Sequence, residues 1–289
     1  MIVIRLSGGL GNQLFQYAAG ASLGQKLGKQ VSVDLCLLKR NWQRPYFLES
    51  IVGGIKIVKS DGISRDVDTV IVSEENYRDV YDNGRCEYNY YLNGYFQSER
   101  YFAEHSEYIK NIYRMHESSE RSYKDNAVAV HVRKGDYVKN NKTASVYGGV
   151  CNAEYYRQAM ELAYKLHGDI MYDIYTDDHE WVMKSIPMSE NIRIVGERKS
   201  APKLIYNAYV LRNLYRVFRN KHASGDVADF NSMRGYSAYI ISNSTYGWWA
   251  SWLSNAKRKT IITPRIWKKE AMSTLLTTEL FTETEVLCI

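Results

Sequence analysis

Three short stretches of this chain carry side chains suited to holding an anion. His131-Val132-Arg133-Lys134-Gly135-Asp136-Tyr137 places Arg133 at the end of an apolar run. A guanidinium is a planar fork of donors that fits a phosphate. Alternation along a strand puts His131 on the same side as Arg133. Ser7-Gly8-Gly9-Leu10-Gly11-Asn12 is a glycine turn ahead of a helical pattern. N–H groups at such a helix start favour an anion, and Gly9 and Gly11 let one approach the backbone. Asn12 either caps the helix or donates its amide to a phosphate. Ser242-Asn243-Ser244-Thr245 precedes another helical run and offers hydroxyls and N–H groups of the same kind.

Each stretch also has a plainer reading. The glycine turn can be a bare strand-to-helix connection. It is not the dinucleotide fingerprint, because Leu14 stands where a third glycine is needed, and no Gly-Lys-Ser/Thr follows to make a P-loop. Ser244 or Thr245 can be an ordinary N-cap. His131 can be a half-buried histidine with its hydrogen bonds met. Asp136 follows Arg-Lys and suits a turn or salt bridge as well as a base. Asp229, in Val227-Ala228-Asp229-Phe230, can cap a helix or accept from guanine N–H donors. Trp248, Trp249 and Trp252 share a helical face and read as core rather than as a sugar platform.

The elements that must position these residues alternate. Residues 1–6 read as a buried strand, followed by a helix from Asn12 with Leu14, Tyr17, Ala18 and Ala21 on one face, then a strand from Val31. Short strands are expected at Ile55–Val58 and Thr69–Val72. Residues 73–92 read as a polar, tyrosine-rich surface region, 93–98 as a strand end, and Glu99–Tyr113 as a helix. The polar run 116–126 is the best linker. Beyond it come a strand at Ala127–Arg133, a helix at Asn152–His167, and strands at Met171–Thr176 and Ile192–Val195. Helices are expected over 203–220 and 226–235, a strand over 238–242, a helix over 246–256, and a closing strand at Thr260–Thr263. Strands alternating with helices imply parallel sheets, with ligands outside the C-terminal strand ends. Two such sets give an N-terminal domain over 1–120 and a C-terminal domain over 121–289.

Composition narrows the partners. The net charge of +6 forms no basic run of the kind that binds nucleic acid. Lys257-Arg258-Lys259 and Lys268-Lys269 could favour an anionic membrane, although a solvated face explains them as well. Four cysteines stand far apart without a CxxC pair, which fits a reducing compartment and suggests no zinc site. No signal-peptide pattern and no spanning apolar run are present, so a cytoplasmic protein is expected, with peripheral membrane contact left open. The 25 tyrosines suit a ligand with hydroxyls and apolar ring faces, or half-buried packing.

GGLGNQLFQYA at the N-terminus, GYFQSERYF at 94–102, HVRKGDY, IYTDD at 174–178, DF at 229–230 and SNSTYGWWASWL at 242–253 occur in the motif order of one family. The chain resembles the bacterial α-1,2-fucosyltransferases of glycosyltransferase family 11. The resemblance implies a GT-B-like α/β fold of two Rossmann-type domains with parallel sheets facing across a cleft. It implies GDP-β-L-fucose as donor, no metal or other cofactor, and inverting transfer to the 2-hydroxyl of a galactose-type acceptor, a glycan or a lipid-linked oligosaccharide such as an O-antigen unit. By the same resemblance Arg133 holds the β-phosphate, His131 lies near the nucleotide, and Asn12 reaches the pyrophosphate. Ser242, Ser244 and Thr245 seat the phosphates, and Asp229 contacts guanine. Two departures stand out: Lys134 where the family has a second arginine, and Tyr246-Gly247 where it has Phe-Ser.

The chemistry is coherent on physical grounds too. Cleaving a sugar–phosphate bond leaves charge on the diphosphate, which fixed donors such as Arg133, Asn12 and helix N–H groups can stabilise. The acceptor proton has three candidate takers: Asp136, Asp177 and a donor phosphate oxygen. Competing readings are another nucleotide-sugar transferase on the same scaffold, a non-catalytic glycan-binding protein, and a dehydrogenase, which the broken glycine fingerprint disfavours.

Overall fold

The computed structural model describes residues 1–40, 45–52, 58–60, 68–114, 124–135, 141–195, 225–269 and 274–289. The helix expected over 203–220 and the residue Asp136 lie outside them. The chain divides into two compact units, Met1–Ser119 and Glu120–Ile289.

In the first unit, β1 (Ile2–Arg5) leads through the glycine turn into α1 (Leu10–Leu27) and β2 (Val31–Asp34). Then come α2 (Cys36–Arg40), β3 (Val58–Ser60), β4 (Thr69–Val72), α3 (Tyr77–Asn83), β5 (Asn89–Leu92) and α4 (Ser106–Arg114). The five strands form one parallel sheet in the order β3-β2-β1-β5-β4. The stretch 73–92, read from sequence as polar surface, therefore supplies a helix and a strand beside β1. Tyrosine explains the difference. Tyr90 is buried in β5 and its hydroxyl donates to the Arg85 carbonyl, while the one proton of the buried Tyr77 hydroxyl is shared between the Ala19 and Tyr101 carbonyls. A phenol can enter a core when its one polar atom finds a backbone partner. The segment expected as one helix from Glu99 is two 3-10 turns followed by α4.

In the second unit, β6 (Lys124–Val132) is followed by α5 (Asn141–Tyr147), α6 (Ala153–His167), β7 (Met171–Thr176), α7 (His179–Ser185) and β8 (Ile192–Val195). A helix over 225–233, α8, leads to β9 (Tyr236–Ile240), α9 (Thr245–Trp252) and β10 (Thr260–Thr263). A hairpin of β11 (Ile266–Lys269) and β12 (Thr274–Leu276) precedes β13 (Leu287–Cys288). The main sheet is parallel, in the order β13-β10-β9-β6-β7-β8. Thr260–Thr263 is thus not the closing strand. β13 lies outside it, and two residues are too few to show a period in sequence. Trp248, Trp249 and Trp252 are at most 1% exposed and pack together with Phe281, as core. Two consecutive units, each on a parallel sheet, give the chain a GT-B-like make-up. Among the described residues, no helix is long and apolar enough to cross a membrane.

One buried carboxylate ties four strands of the second sheet together. Asp173 of β7 accepts from Arg193 of β8 and from the Tyr236 hydroxyl of β9, with the Lys124 ammonium of β6 at 3.5 Å. Burial pushes its pKa up. The bonds from Arg193 and Tyr236 and the charges of Arg193 and Lys124 outweigh this and hold it below the ordinary value. Arg193 and Lys124 are about half exposed and can re-solvate, so Asp173→Asn is expected to cost only about 2 kcal/mol. A depressed carboxylate contributes fully above its unfolded pKa of about 4 and loses that contribution as pH falls through the folded value. Urea unfolding should therefore show a wild-type advantage at neutral pH that shrinks in acid. An equal difference at both pH values would contradict the ion-pair account.

Candidate active site

In a parallel sheet the ligand crevice lies at the C-terminal strand ends where strand order reverses. In the second unit that point is between β6 and β9. Arg133 directly follows β6, Asp177 directly follows β7, and Ser242 follows β9 by two residues. These positions share one edge of the sheet.

The loop after β6 is held by one carboxylate. Asp177 Oδ1 accepts from the Lys134 N–H at 2.8 Å, and Oδ2 accepts from the Gly135 N–H at 3.1 Å. The Arg133 Nη1 lies 2.8 Å from Oδ2. Burial raises the Asp177 pKa, but the Arg133 charge, the two backbone donors and the nearby His131 outweigh it and keep the carboxyl below its ordinary value. The arrangement fixes the guanidinium and leaves it 26% exposed.

Lys134 does not stand beside it as a second cation. Its ammonium donates to the Cys151 carbonyl and sits 4.0 Å from the centre of the Trp181 ring. Lys134 is buried, and burial lowers its pKa. The lysine that departs from the family pattern is thus turned inward, as a strut between loops. Asn243 extends the strut, donating to the Tyr147 and Trp267 carbonyls.

His131 is buried at the end of β6 and shares a 2.9 Å hydrogen bond from Nδ1 with Ser242 Oγ. Its ring stacks on Tyr246, 5.3 Å between centres, and Tyr246 packs edge-on against Phe230 of α8. Gly247 makes room for this: a Cβ there would lie 2.8 Å from His131 Nδ1. The Tyr246-Gly247 departure thus has a local cause in how His131 packs. Asp229 sits one residue before Phe230, half-buried, and its charge is the smallest contribution to a Tyr175 phenol pKa raised by burial and then by Asp173.

Helix α9 starts with Ser244 as N-cap, and that side chain makes no capping hydrogen bond. No acidic residue stands in its first turn. The positive end of the helix thus carries the Ser244 hydroxyl without a capping bond, a helix start of the kind that favours an anion.

The first unit carries its own helix start at the same kind of edge, since its strand order reverses between β1 and β5. Gly9 is the N-cap of α1, Gly11 lies in the first turn, and no acidic residue stands there. Gly8 has φ +76, and a Cβ on it would lie 2.4 Å from Asn12 Nδ2. Asn12 Oδ1 accepts from Gln97 at 2.9 Å. Sequence reasoning passed over the residues that hold this turn. Gln13 donates to the Gly8 and Pro45 carbonyls, and Gln16 accepts from the Ser7 N–H while donating to Ser7 Oγ and the Gly94 carbonyl. Both are fully buried. Two glutamines three apart on an otherwise apolar helix face were the available signal. Glu74 accepts from the Tyr95 and Phe96 N–H groups, and Phe96 sits at φ 51, a strained value for a bulky residue.

The site candidates thus fall into two groups. His131, Arg133, Asp177, Ser242, Ser244 and Thr245 gather at one sheet edge of the second unit, and Asp229 lies on α8. Gly9, Gly11 and Asn12 form the helix start of the first unit. Among the described residues, no group of three or more His, Cys, Asp or Glu side chains is placed to hold a metal ion.

A family model for glycosyl transferase family 11 matches residues 1–280. The chain belongs to this family. It is 25% identical over 298 residues to an alpha-1,2-colitosyltransferase of Escherichia coli, covering 92% of each protein. It is also 25% identical over 315 residues to the O-antigen biosynthesis glycosyltransferase WbnK of Escherichia coli, covering 91% of this chain and 93% of that one. Among solved structures, the fucosyltransferase NodZ from Bradyrhizobium is 12% identical at a TM-score of 0.49, over 86% of this chain and 91% of that one. NodZ alpha-1,6-fucosyltransferase soaked with GDP-fucose compares at the same TM-score over 87% and 91%. The family 11 match and the motif order agree, and the protein is a glycosyltransferase.

Proposed function

We propose that this family 11 glycosyltransferase transfers L-fucose from GDP-β-L-fucose to the 2-hydroxyl of a terminal galactose-type acceptor, inverting the anomeric centre to give an α-1,2-fucoside. The observation that carries the reading is the fixed Arg133 guanidinium at the reversal point of the second sheet, with an uncapped helix start on the neighbouring strand's loop. Those groups suit a leaving diphosphate. Asp229 is assigned to the guanine, and His131 orders the edge through Ser242 and Tyr246. The second unit is assigned the donor and the first unit the acceptor. Arg133 and N–H donors take over the charge stabilisation that a metal would otherwise supply.

Purified protein should turn over GDP-fucose with a β-galactoside acceptor, and should turn over GDP-mannose or UDP-galactose poorly. The colitosyltransferase among its relatives makes a nucleotide-activated colitosyl donor the further donor to include. Preference for a uridine donor would overturn the assignment. Excess EDTA should leave the rate unchanged, and activity lost to EDTA and restored by Mg²⁺ or Mn²⁺ would contradict the metal-free mechanism. The acceptor in the cell is assigned to a galactose-terminated glycan or lipid-linked oligosaccharide, with the protein working in the cytoplasm and no role for nucleic acid.

A further inference from the structure

The first unit carries a polar cluster that the donor chemistry does not use. β1 reads Ile-Val-Ile-Arg, an apolar strand whose last residue is charged. Arg5 pairs in register with Asp34, the last residue of β2. On its other side the register Ile4↔Leu92 brings Asn93 level with Arg5, and Tyr91 points to the same face two residues earlier. Arg5 Nη1 donates to Asn93 Oδ1 at 2.9 Å. Tyr91 donates its hydroxyl to Asp34 Oδ2 at 2.8 Å, and the Cys36 N–H donates to Asp34 Oδ1 at 2.8 Å. Asp34 is 2% exposed, whereas Arg5 and Tyr91 are half-buried and Asn93 is exposed.

This cluster is costly to keep as mere structure. Arg5 Nε is buried and has no hydrogen-bond partner among the described residues. A buried donor left unsatisfied costs about 1–3 kcal/mol. A charged side chain at the end of a buried strand, beside a buried carboxylate to which it is not ion-paired, serves stability poorly. The cluster also sits at the C-terminal strand ends where the order reverses between β1 and β5, the place where parallel sheets bind ligands.

We infer that Arg5, Tyr91 and Asn93, with Asp34 fixing Tyr91 from behind, form the subsite for a hydroxyl-bearing sugar ring of the acceptor. A sugar hydroxyl both donates and accepts. Arg5 offers the Nη donors that its bond to Asn93 leaves over, the phenol oxygen of Tyr91 accepts, and the Asn93 amide N–H₂ donates. The buried Asp34 carboxylate on the next strand disfavours a phosphate or carboxylate at the same place. Burial, the bond to Asp34 and its charge all raise the Tyr91 pKa, so the phenol stays neutral and donates its hydrogen bond to Asp34. Tyr95, two residues past Asn93, is 48% exposed and adds an aromatic face of the kind that sugars stack on.

The inference rests on the galactoside acceptor proposed above, and the test separates the two. Lactose binding to the full chain in the presence of GDP is measured by NMR titration, alongside fucose transfer from GDP-fucose. Arg5→Met and Tyr91→Phe are each expected to weaken lactose binding on the order of tenfold or more, with GDP affinity unchanged by calorimetry. Should Arg5→Met fail to fold, Arg5→Lys serves, since a lysine keeps the charge and loses the fork. Unchanged lactose affinity in both the arginine and tyrosine variants overturns the subsite, even where the wild type transfers fucose. Lactose binding that depends on Arg5 in a protein with no fucose transfer leaves the subsite standing and overturns the donor reading. A wild-type chain that neither binds lactose nor uses it overturns both.

Discussion

Arg133→Ala is expected to lower glycosyl transfer by about 10²–10³-fold while the second unit stays folded. The side chain is 26% exposed and fixed at the end of β6 by a carboxylate 2.8 Å away. A guanidinium held in place before the reaction needs no reorganisation as charge develops on the proposed leaving diphosphate. Donors of this kind contribute about 3–4 kcal/mol to the barrier each. The fold tolerates the loss because Asp177 keeps two backbone donors, the Lys134 and Gly135 N–H groups. Arg133→Lys should recover only part of the rate, since an ammonium retains the charge without the bidentate geometry. Lys134 cannot substitute, because its ammonium is committed to the Cys151 carbonyl and the Trp181 ring. Initial rates with GDP-fucose, read beside thermal melts, decide the matter. Turnover near the wild-type level in a folded Arg133→Ala protein would sink the role given to this residue.

What sequence made legible here follows from what each signal depends on. The strand ending at Arg133 was readable because Ala127–Val132 is apolar apart from His131 and is central in its sheet. The helix carrying Trp248, Trp249 and Trp252 was readable as core because three large apolar residues share its face. β5 was not readable, because Asn-Tyr-Tyr-Leu looks polar until each phenol is given its partner. The inward turn of Lys134 was equally hidden. Nothing in the local spacing of Arg-Lys says that Cys151 and Trp181, far along the chain, will enclose the ammonium. The scaffolding amides of Gln13 and Gln16 serve loops up to 78 residues away, which no local pattern can report. Residue types that do chemistry were visible as types. Their orientation came from tertiary partners.

Asp177 is where orientation decides between two roles. A carboxylate at this edge could take the acceptor's proton, or it could position Arg133. Its contacts favour the second. Three donors converge on it, and its pKa is held below the ordinary carboxylate value against the opposing effect of burial. A group that gives up its proton so readily is a weak base at neutral pH. Asp177→Asn presents one acceptor and one N–H₂ to three converging donors, so one donor must face another. Transfer is expected to fall by about a hundredfold, through loss of the Arg133 geometry. Stability should fall by about 3 kcal/mol, as when one partner of a buried pair is removed. That contribution is present above a pH of about 4 and is lost as pH falls through the lowered value in the folded protein. The two roles predict different kinetics. A positioning residue, when lost, weakens GDP affinity together with kcat, and Asp177→Ala added to Arg133→Ala costs little more than Arg133→Ala alone. A base, when lost, lowers kcat and leaves GDP affinity at the wild-type value. Calorimetry with GDP on the single variants, together with rates on the double variant, therefore separates them. Unchanged GDP affinity in a folded Asp177→Asn protein with collapsed kcat would return Asp177 to the role of base.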